Sequence, residues 1–115
     1  MALFKRKDLK SIAELRKTQT RRTHRHEWKV GRRYALRDRW FDKPKGYILI
    51  TRKFQQRLGD ISQGDVKEEG FQSKKAFQQA WIEINGEWNP DQIVIVYEFR
   101  YLRPRGLRGC EWKLN

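Results

Sequence analysis

The segment that most constrains the fold of this chain is QIVIVYEFRYL, residues 92–102. It consists largely of β-branched and aromatic residues, and it is apolar at every position from Ile93 to Tyr97. Successive side chains of a strand point to opposite faces of a sheet, so this run predicts a strand that is covered on both faces. We therefore expect it to be a central strand.

A β-hairpin is predicted over residues 33–58. GRRYALRDRWF, residues 31–41, alternates with period two and places Tyr34, Leu36 and Trp40 on the core side, with a row of arginines facing outward. The Pro and Gly of DKPKG, residues 42–46, are typical of a turn. YILITRKFQQRL then reads as the long return strand.

Two helices are predicted from apolar residues at spacings of three and four. The first extends from Asp8 to Arg16, after a short strand at residues 2–4. The second covers residues 73–84, with Ser73 as N-cap and Asn85-Gly86 as the stop. The acidic segment before it, which ends at Gly70, is typical of a short helix or a loop.

These elements predict one α+β domain over residues 1–103, followed by a basic C-terminal tail at residues 104–115. Five Trp, four Tyr and six Phe are enough to form a core, although the mean hydropathy is −0.99. We expect a strongly curved sheet or a small β-barrel of about five or six strands with two flanking helices. Closure into a barrel would remove the exposed strand edges.

The charge of the chain is unevenly distributed. Residues 1–57 carry 19 basic and 5 acidic side chains, a net charge of +14, whereas residues 58–99 carry a net charge of −5 and residues 100–115 one of +4. A strongly positive region attracts polyanions and gives them a salt-dependent affinity. RNA or DNA is therefore the expected partner; the alternative is a basic surface that serves only solubility.

Several other classes are disfavoured. The single cysteine, Cys110, allows no internal disulfide and suggests a reducing, cytoplasmic setting. No apolar run approaches the roughly 18 residues of a membrane span, and no signal peptide is visible, so no membrane partner is expected. His24, His26 and Glu27 lack the further ligands that a metal site needs, so we expect no metal and no cofactor.

The segment KTQTRRTHRHEW, residues 17–28, combines hydroxyls with guanidinium and ammonium groups. Such groups suit an anionic oxygen, because the cations supply affinity and the hydroxyls supply fixed donors. The same composition also fits an edge strand that is protected by cations. The residues alone leave both interpretations open.

RKTQTRR resembles the Lys-Thr-x-Thr-x-Arg signature of ASCH domains, which are PUA-like β-barrels. KVGRRY, EEGFQSKKAFQQAW and IVIVYEFRYL resemble further pieces of the family in the same order. The resemblance covers nearly the whole domain, from about Leu3 to Leu102. Two positions depart from the pattern: Leu15 stands where the family usually has glycine, and Arg32 stands where an acidic residue is common.

The resemblance implies a cleft beside the Lys-Thr-x-Thr segment and an association with RNA or modified nucleosides. One bacterial branch of the family is an amidohydrolase that acts on N4-acetylcytidine. Its nucleophilic threonine, activating lysine and proton-handling glutamate correspond to Thr20, Lys17 and Glu69. A hydroxyl is a poor nucleophile until a base or a nearby cation assists it, which is consistent with these residue types.

The charge favours RNA binding over the enzyme, because an uncharged nucleoside gains little from so many cations whereas a polymer gains much. We expect structured RNA, for example ribosomal RNA in a ribosome-associated protein; the alternatives are the amidohydrolase or a ribonuclease that uses the same three residues. A DNA-binding regulator is disfavoured because no recognition helix is visible. The residues expected to contact RNA are Lys17, Thr18, Arg21, Arg22, Arg25, Arg32, Arg33, Arg37, Arg39, Arg100, Arg103, Arg105 and Arg108.

Overall fold

The computed structural model describes residues 2–23, 28–37 and 45–103. A short 3₁₀ turn, Leu58–Asp60, connects the fourth strand to the second helix. In chain order the strands and α-helices are β1 (Ala2–Leu3), α1 (Arg6–Ala13), β2 (Gln19–Arg22), β3 (Arg33–Arg37), β4 (Tyr47–Arg57), α2 (Gln63–Glu68), α3 (Lys74–Asn85) and β5 (Ile93–Leu102).

The prediction of a central strand is confirmed. The strand order is β1-β3-β4-β5-β2, and β5 is antiparallel to both of its neighbours, β4 and β2. Val94 and Val96 are buried on one face of β5, while Tyr97 and Phe99 are buried on the other. Because β5 contributes to two apolar layers, the run from Ile93 to Tyr97 contains no consistently polar face.

The α+β class is confirmed, but the predicted barrel is wrong: the described strands form an open sheet. Four strands are antiparallel, and the two-residue β1 adds a parallel pairing to β3. Closure would require the outer strands β1 and β2 to meet, whereas β2 borders a cavity whose walls include residues of α1 and α3. Barrel closure would have paired the outer edge of β2 with another strand. That edge is instead flanked by helices and a cavity.

The predicted hairpin is present as β3 and β4, with Tyr34 opposite Ile48 and Ala35 opposite Tyr47. Residues 38–44, which include Trp40 and most of the predicted turn, lie outside the described residues. A register shift between Ile50 and Arg52 marks a β-bulge in β4. A bulge adds one residue to a strand and so changes which side chains face each side of the sheet beyond it.

In the described part of the chain, the helices differ from the prediction in number and in both ends of α1. α3 is confirmed, with the Ser73 hydroxyl accepting a hydrogen bond from the Ala76 amide and Gly86 in a left-handed conformation after its last residue. α1 starts and ends earlier than predicted, since Leu15 adopts a φ of 63° that ends the helix. A third helix, α2, follows Ser62, which forms a reciprocal capping box with Asp65.

Two apolar clusters cover opposite faces of the sheet. The first joins Leu9 and Ile12 of α1 to Trp28 and to the sheet residues Ile48 and Tyr97. The second joins α2 and α3 to the other face of β4 and β5, and its buried residues are Leu58, Ile61, Val66, Phe77, Trp81, Val94 and Val96. The edge strand β2 therefore lies beside the gap between the helices of the two faces.

Candidate functional site

A cavity of about 470 Å³ borders β2. One wall comes from Phe4 and from α1, and the opposite wall comes from the α2–α3 loop and from α3. Lys17, Thr20 and Glu69, the three residues that the resemblance assigned to a catalytic site, all line this cavity. Its remaining lining is Phe4, Lys5, Asp8, Arg21, Arg22, Thr23, Phe71, Phe77, Ala80, Trp81, Ile84 and Asn85.

The base of the cavity contains a buried network of charged side chains. The Lys17 ammonium donates to Glu69 Oε1 and to the Glu69 carbonyl oxygen, both at 3.0 Å. The Arg21 guanidinium donates to Glu69 Oε2 at 2.9 Å. Each carboxylate oxygen of Glu69 is therefore engaged by a cation, and the side chains of all three residues are at most 5% exposed.

Arg21 is held on several sides. Its Nη2 and Nε groups donate to Gln56 Oε1 at 2.9 and 3.2 Å, and its Nη1 group donates to Gln19 Oε1 at 2.9 Å. Asp65 forms a further ion pair at 3.5 Å. The guanidinium thus has carboxylate and amide partners within the fold and is not available as a surface contact.

The loop between α1 and β2 positions Lys17. The amides of Arg16 and Lys17 both donate to the Ser11 carbonyl oxygen, at 2.8 and 3.1 Å. Leu15 supplies the left-handed conformation that this turn requires, and it is the only non-glycine residue with positive φ in the described part of the chain. The departure from the family pattern at this position therefore changes the residue but keeps the turn that a glycine would allow.

The two threonines make different contacts. The Thr18 hydroxyl donates to a carboxylate oxygen of Glu68. Thr20 is 4% exposed, and its hydroxyl accepts a hydrogen bond from Arg22 Nε at 3.2 Å. Thr20 and Arg21 are consecutive strand residues, so their side chains point to opposite faces of β2.

Arg22 lies against the aromatic rings of the first apolar cluster. Its guanidinium carbon is 4.5 Å from the Phe4 ring centroid and 5.3 Å from that of Trp28, which is the geometry of a cation–π interaction. Burial lowers the pKa of Arg22, while the charges of Glu69 and Asp8 oppose this shift. Arg22 is thus a packed cation at the wall of the cavity.

The α3 wall of the cavity is aromatic. Phe77 packs edge-on against Phe71, with ring centroids 5.6 Å apart, and lies 6.1 Å from the Trp81 ring. Trp81 is 5% exposed, and its indole nitrogen has no hydrogen-bond partner among the described residues. Phe77 is 3% exposed and Phe71 is half-buried, so these rings give the wall an apolar character while most of their surface is packed within the fold.

A second candidate surface, here called the arginine surface, consists of Arg33, Arg52 and Arg100. Arg33 lies opposite Leu49 in β3 and β4, and Leu49 lies opposite Arg100 in β5, so the two arginines share one row and one face of the sheet. Arg52 projects from the same face, where it pairs with Glu98 at 3.6 Å. All three arginines are exposed.

The residues predicted to contact RNA occupy different environments. Lys17 and Arg21 are buried in ion pairs, and Thr18, Arg22 and Arg37 are half-buried. The exposed members are Arg32, Arg33, Arg100 and Arg103. Four predicted contacts lie outside the described residues, namely Arg25, Arg39, Arg105 and Arg108.

Sequence reasoning missed Arg52 and the aromatic wall at Phe71 and Phe77. Arg52 follows the β-bulge, and the position of the bulge could not be read from the alternation of side chains. Phe77 was expected in the core, as one of the apolar residues of the second helix, and it contributes to both core and cavity. The GF pair before that helix was the available signal for Phe71.

The described residues contain no group of three or more His, Cys, Asp or Glu side chains that could hold a metal ion. His24, His26 and Cys110 are outside that part of the chain. None of the described helices is long and apolar enough to span a membrane.

Solved structures with a similar fold include an ASCH domain from Lactobacillus crispatus JV V101, with a TM-score of 0.70 and 18% sequence identity, over 82% of this chain and 69% of that one. They also include protein EF3133 from Enterococcus faecalis V583, assigned to the family DUF984, with a TM-score of 0.67 and 15% identity, over 89% of this chain and 74% of that one. No protein-family model and no curated protein matches the chain. At these identities the similarity concerns the fold, and the fold of this chain is that of an ASCH domain.

Proposed function

We propose that this protein binds structured RNA and that the arginine surface holds phosphates of the RNA backbone. The observation that carries the proposal is the cross-strand row of Arg33 and Arg100 on an exposed sheet face. Strands of a sheet are spaced by about 4.8 Å, so two arginines on either side of one strand stand roughly 10 Å apart at their backbones. Two cations at this spacing can contact successive phosphates of a nucleic-acid backbone.

The distribution of charge supports a polymeric partner. Exposed cations without an ion pair among the described residues occur on α1 and around β3, as well as on the arginine surface; they include Lys5, Lys7, Lys10, Lys29, Arg32 and Arg100. Residues 58–92, which form the α2–α3 half, carry seven of the 14 acidic residues of the chain and only three basic ones. A polyanion would therefore approach the α1 and β3 side, because the long-range field favours that side.

The amidohydrolase is a second candidate, because Lys17, Thr20 and Glu69 line one cavity. The contacts of these residues favour binding over catalysis. Lys17 already donates two hydrogen bonds, and a base needs a free lone pair. Both oxygens of Glu69 are engaged, so a proton shuttle would require the network to open.

The RNA proposal can be tested by fluorescence anisotropy with a labelled RNA hairpin. We expect Arg33→Ala/Arg100→Ala to weaken binding about tenfold or more, since each substitution removes a charged contact to phosphate. Lys67→Ala/Lys75→Ala removes the same charge from exposed positions on α2 and α3 and should change the affinity little. Equal losses in the two variants would contradict the proposed surface.

Two further measurements separate the alternatives. Incubation with N4-acetylcytidine should give no hydrolysis. Hydrolysis that disappears in Thr20→Ala would show that the protein is an amidohydrolase and would contradict the proposal. Sedimentation of lysate at low and high salt tests the ribosomal partner, and we expect the chain to travel with ribosomal particles only at low salt.

A further inference from the structure

One carboxylate lies within the arginine surface. Glu98 is on the same face of β5 as Arg100, and it lies opposite Arg52 of β4 and opposite Gln19 of β2. Among the strand residues that the structure describes, Glu98 is the only acidic one. A carboxylate at this position repels phosphate, so it lowers the affinity of the surface for a polyanion unless it binds another group of the same ligand.

The Glu98 side chain is held through one of its two oxygens. Oε2 accepts a hydrogen bond from Gln19 Nε2 at 2.9 Å and lies 3.6 Å from Arg52 Nη1. Gln19 is 4% exposed, and its Oε1 atom in turn accepts from Arg21 Nη1 at 2.9 Å. The carboxylate is therefore anchored to the buried network at the base of β2, which fixes its orientation.

The other oxygen of Glu98 is accessible. Oε1 accepts no hydrogen bond from the described residues, and it is not among the buried polar atoms that lack a partner. The side chain as a whole is 30% exposed. Since an ionised carboxylate can only accept hydrogen bonds, a ligand that binds Oε1 must supply an O–H or N–H donor.

The RNA backbone carries such a donor in the 2′-hydroxyl of each ribose. Phosphate oxygens only accept hydrogen bonds, and the DNA backbone has no hydroxyl at the 2′ position. The 2′-hydroxyl and the 3′-phosphate stand on adjacent carbons of one ribose. Glu98 and Arg100 stand about 6.7 Å apart along one face of β5, so their long side chains can reach adjacent groups of one nucleotide.

We propose that Glu98 makes the arginine surface selective for RNA over DNA, because its Oε1 atom accepts a hydrogen bond from a ribose 2′-hydroxyl while Arg100 holds the neighbouring phosphate. The inference rests on the proposed RNA binding and names the chemical group that this surface reads. A hydrogen bond to a charged acceptor is stronger than one between neutral groups, so the contact offsets the repulsion between carboxylate and phosphate. With DNA the repulsion remains and no hydrogen bond compensates for it.

Glu98 also has a role within the fold, since it accepts from Gln19 and pairs with Arg52. That role uses Oε2, whereas the proposed contact uses Oε1. The two roles have different consequences for binding. Loss of the structural role changes the affinity for every nucleic acid alike, whereas loss of the 2′-hydroxyl contact weakens only the binding of RNA.

The test compares three hairpins of one sequence: RNA, the same RNA with 2′-fluoro groups in place of its 2′-hydroxyls, and DNA. The 2′-fluoro RNA keeps the A-form helix but has no donor at the 2′ position. The wild type should bind RNA about tenfold or more tightly than either of the other two hairpins. Glu98→Ala should bind RNA and 2′-fluoro RNA equally, and it should bind DNA more tightly than the wild type does, because the repulsion is removed.

Two further variants control the comparison. Glu98→Gln keeps the shape and a neutral acceptor oxygen, so it should retain part of the ratio of RNA to 2′-fluoro RNA affinity. Glu83→Ala removes the same charge from an exposed position on α3 and should keep the wild-type ratio. Each ratio is measured within one preparation, so a loss of folded protein affects both affinities together.

Equal affinity of the wild type for RNA and 2′-fluoro RNA would overturn the inference while leaving RNA binding intact. A wild-type ratio that persists in Glu98→Ala would also overturn it, because the 2′-hydroxyls would then be read by other residues. Should Glu98→Ala fail to fold, an unchanged ratio in Glu98→Gln would decide against Glu98 in the same way. No binding of any of the three hairpins would instead reject the proposed function.

Discussion

At the scale of single residues, the site depends on Glu69, which satisfies two buried cations at once. Lys17, Thr20 and Glu69, which the resemblance to ASCH domains assigns to one site, line a single cavity. Pairing between these side chains could not be predicted, since it depends on where the α2–α3 loop meets β2. For the same reason Arg21 was expected at the surface, although its side chain is fully buried.

Substitution of Glu69 tests the network. Glu69→Gln keeps the shape but leaves Lys17 and Arg21 without their shared charge, so we expect the free energy of unfolding to fall by about 3–5 kcal/mol. Glu68→Gln is the matched control. Because Glu68 is exposed, this substitution should lower the free energy of unfolding by less than about 1 kcal/mol. Urea denaturation measures both, and similar small losses would show that the buried pairs contribute little.

Leu15 provides a second residue-scale prediction. Its φ of 63° disfavours any side chain, and its own side chain is 69% exposed. Relative to Leu15→Ala, which keeps the backbone strain, Leu15→Gly should raise the free energy of unfolding by about 1 kcal/mol. Thermal denaturation of the two variants measures this difference in stability. A glycine variant that is less stable than the alanine variant would mean that the turn is unstrained.

Tyr101 predicts an effect of alkaline pH. Burial raises the pKa of its hydroxyl, Arg103 opposes the shift, and the hydroxyl donates to the Lys45 carbonyl oxygen at 3.1 Å. Because the folded pKa lies above the unfolded value of 10.0, the stabilisation is complete below pH 10 and is lost as the pH rises through the raised pKa. Stability measured by urea denaturation should therefore fall less above pH 10 in Tyr101→Phe than in the wild type, and superimposable pH profiles would contradict this.

At the scale of elements, predictions succeeded where local signals were sufficient. α3 begins after Ser73 and ends before Gly86, as expected. These signals can be read from the sequence because an N-cap and a left-handed glycine act on residues only a few positions away. The end of α1 was placed too late, since nothing in its apolar spacing marks Leu15 as left-handed. The barrel was wrong because closure depends on contacts between distant strands, and the edge strands β1 and β2 do not pair with each other.

The β3–β4 hairpin gives an element-scale prediction at Gly46. Its φ is +119°, and a Cβ there would lie 2.6 Å from Tyr101 Cε1 and 2.7 Å from the Leu102 carbonyl oxygen. Gly46→Ala should therefore lower the free energy of unfolding by about 2–4 kcal/mol, from strain and overpacking together.

Gly31→Ala is the matched control for Gly46→Ala. Gly31 also has positive φ, at +86°, but no atom lies within 4 Å of its added Cβ. We expect only the conformational cost, about 1 kcal/mol, in urea denaturation. Equal losses at the two positions would show that the packing of β5 against Gly46 is looser than the structure indicates.

At the scale of the whole molecule, the basic and acidic parts of the sequence fold into different regions. Residues 58–92 form the α2–α3 side and carry mostly acidic charge, while α1, β3 and the arginine surface carry exposed cations. The sequence predicted the excess of positive charge but not which cations remain accessible. Lys17 and Arg21 are neutralised inside the fold, so the surface field depends on the others.

The salt dependence of RNA binding tests this account most directly. For the wild type, the logarithm of the association constant should fall linearly with the logarithm of salt concentration, with a slope of about −0.7 to −0.9 per phosphate contacted. Arg33→Ala/Arg100→Ala should reduce the magnitude of that slope by about 2, and Lys67→Ala/Lys75→Ala should leave it unchanged. Binding of the RNA hairpin that is insensitive to salt, or a slope that is the same in all three proteins, would contradict the arginine surface as the site of RNA binding.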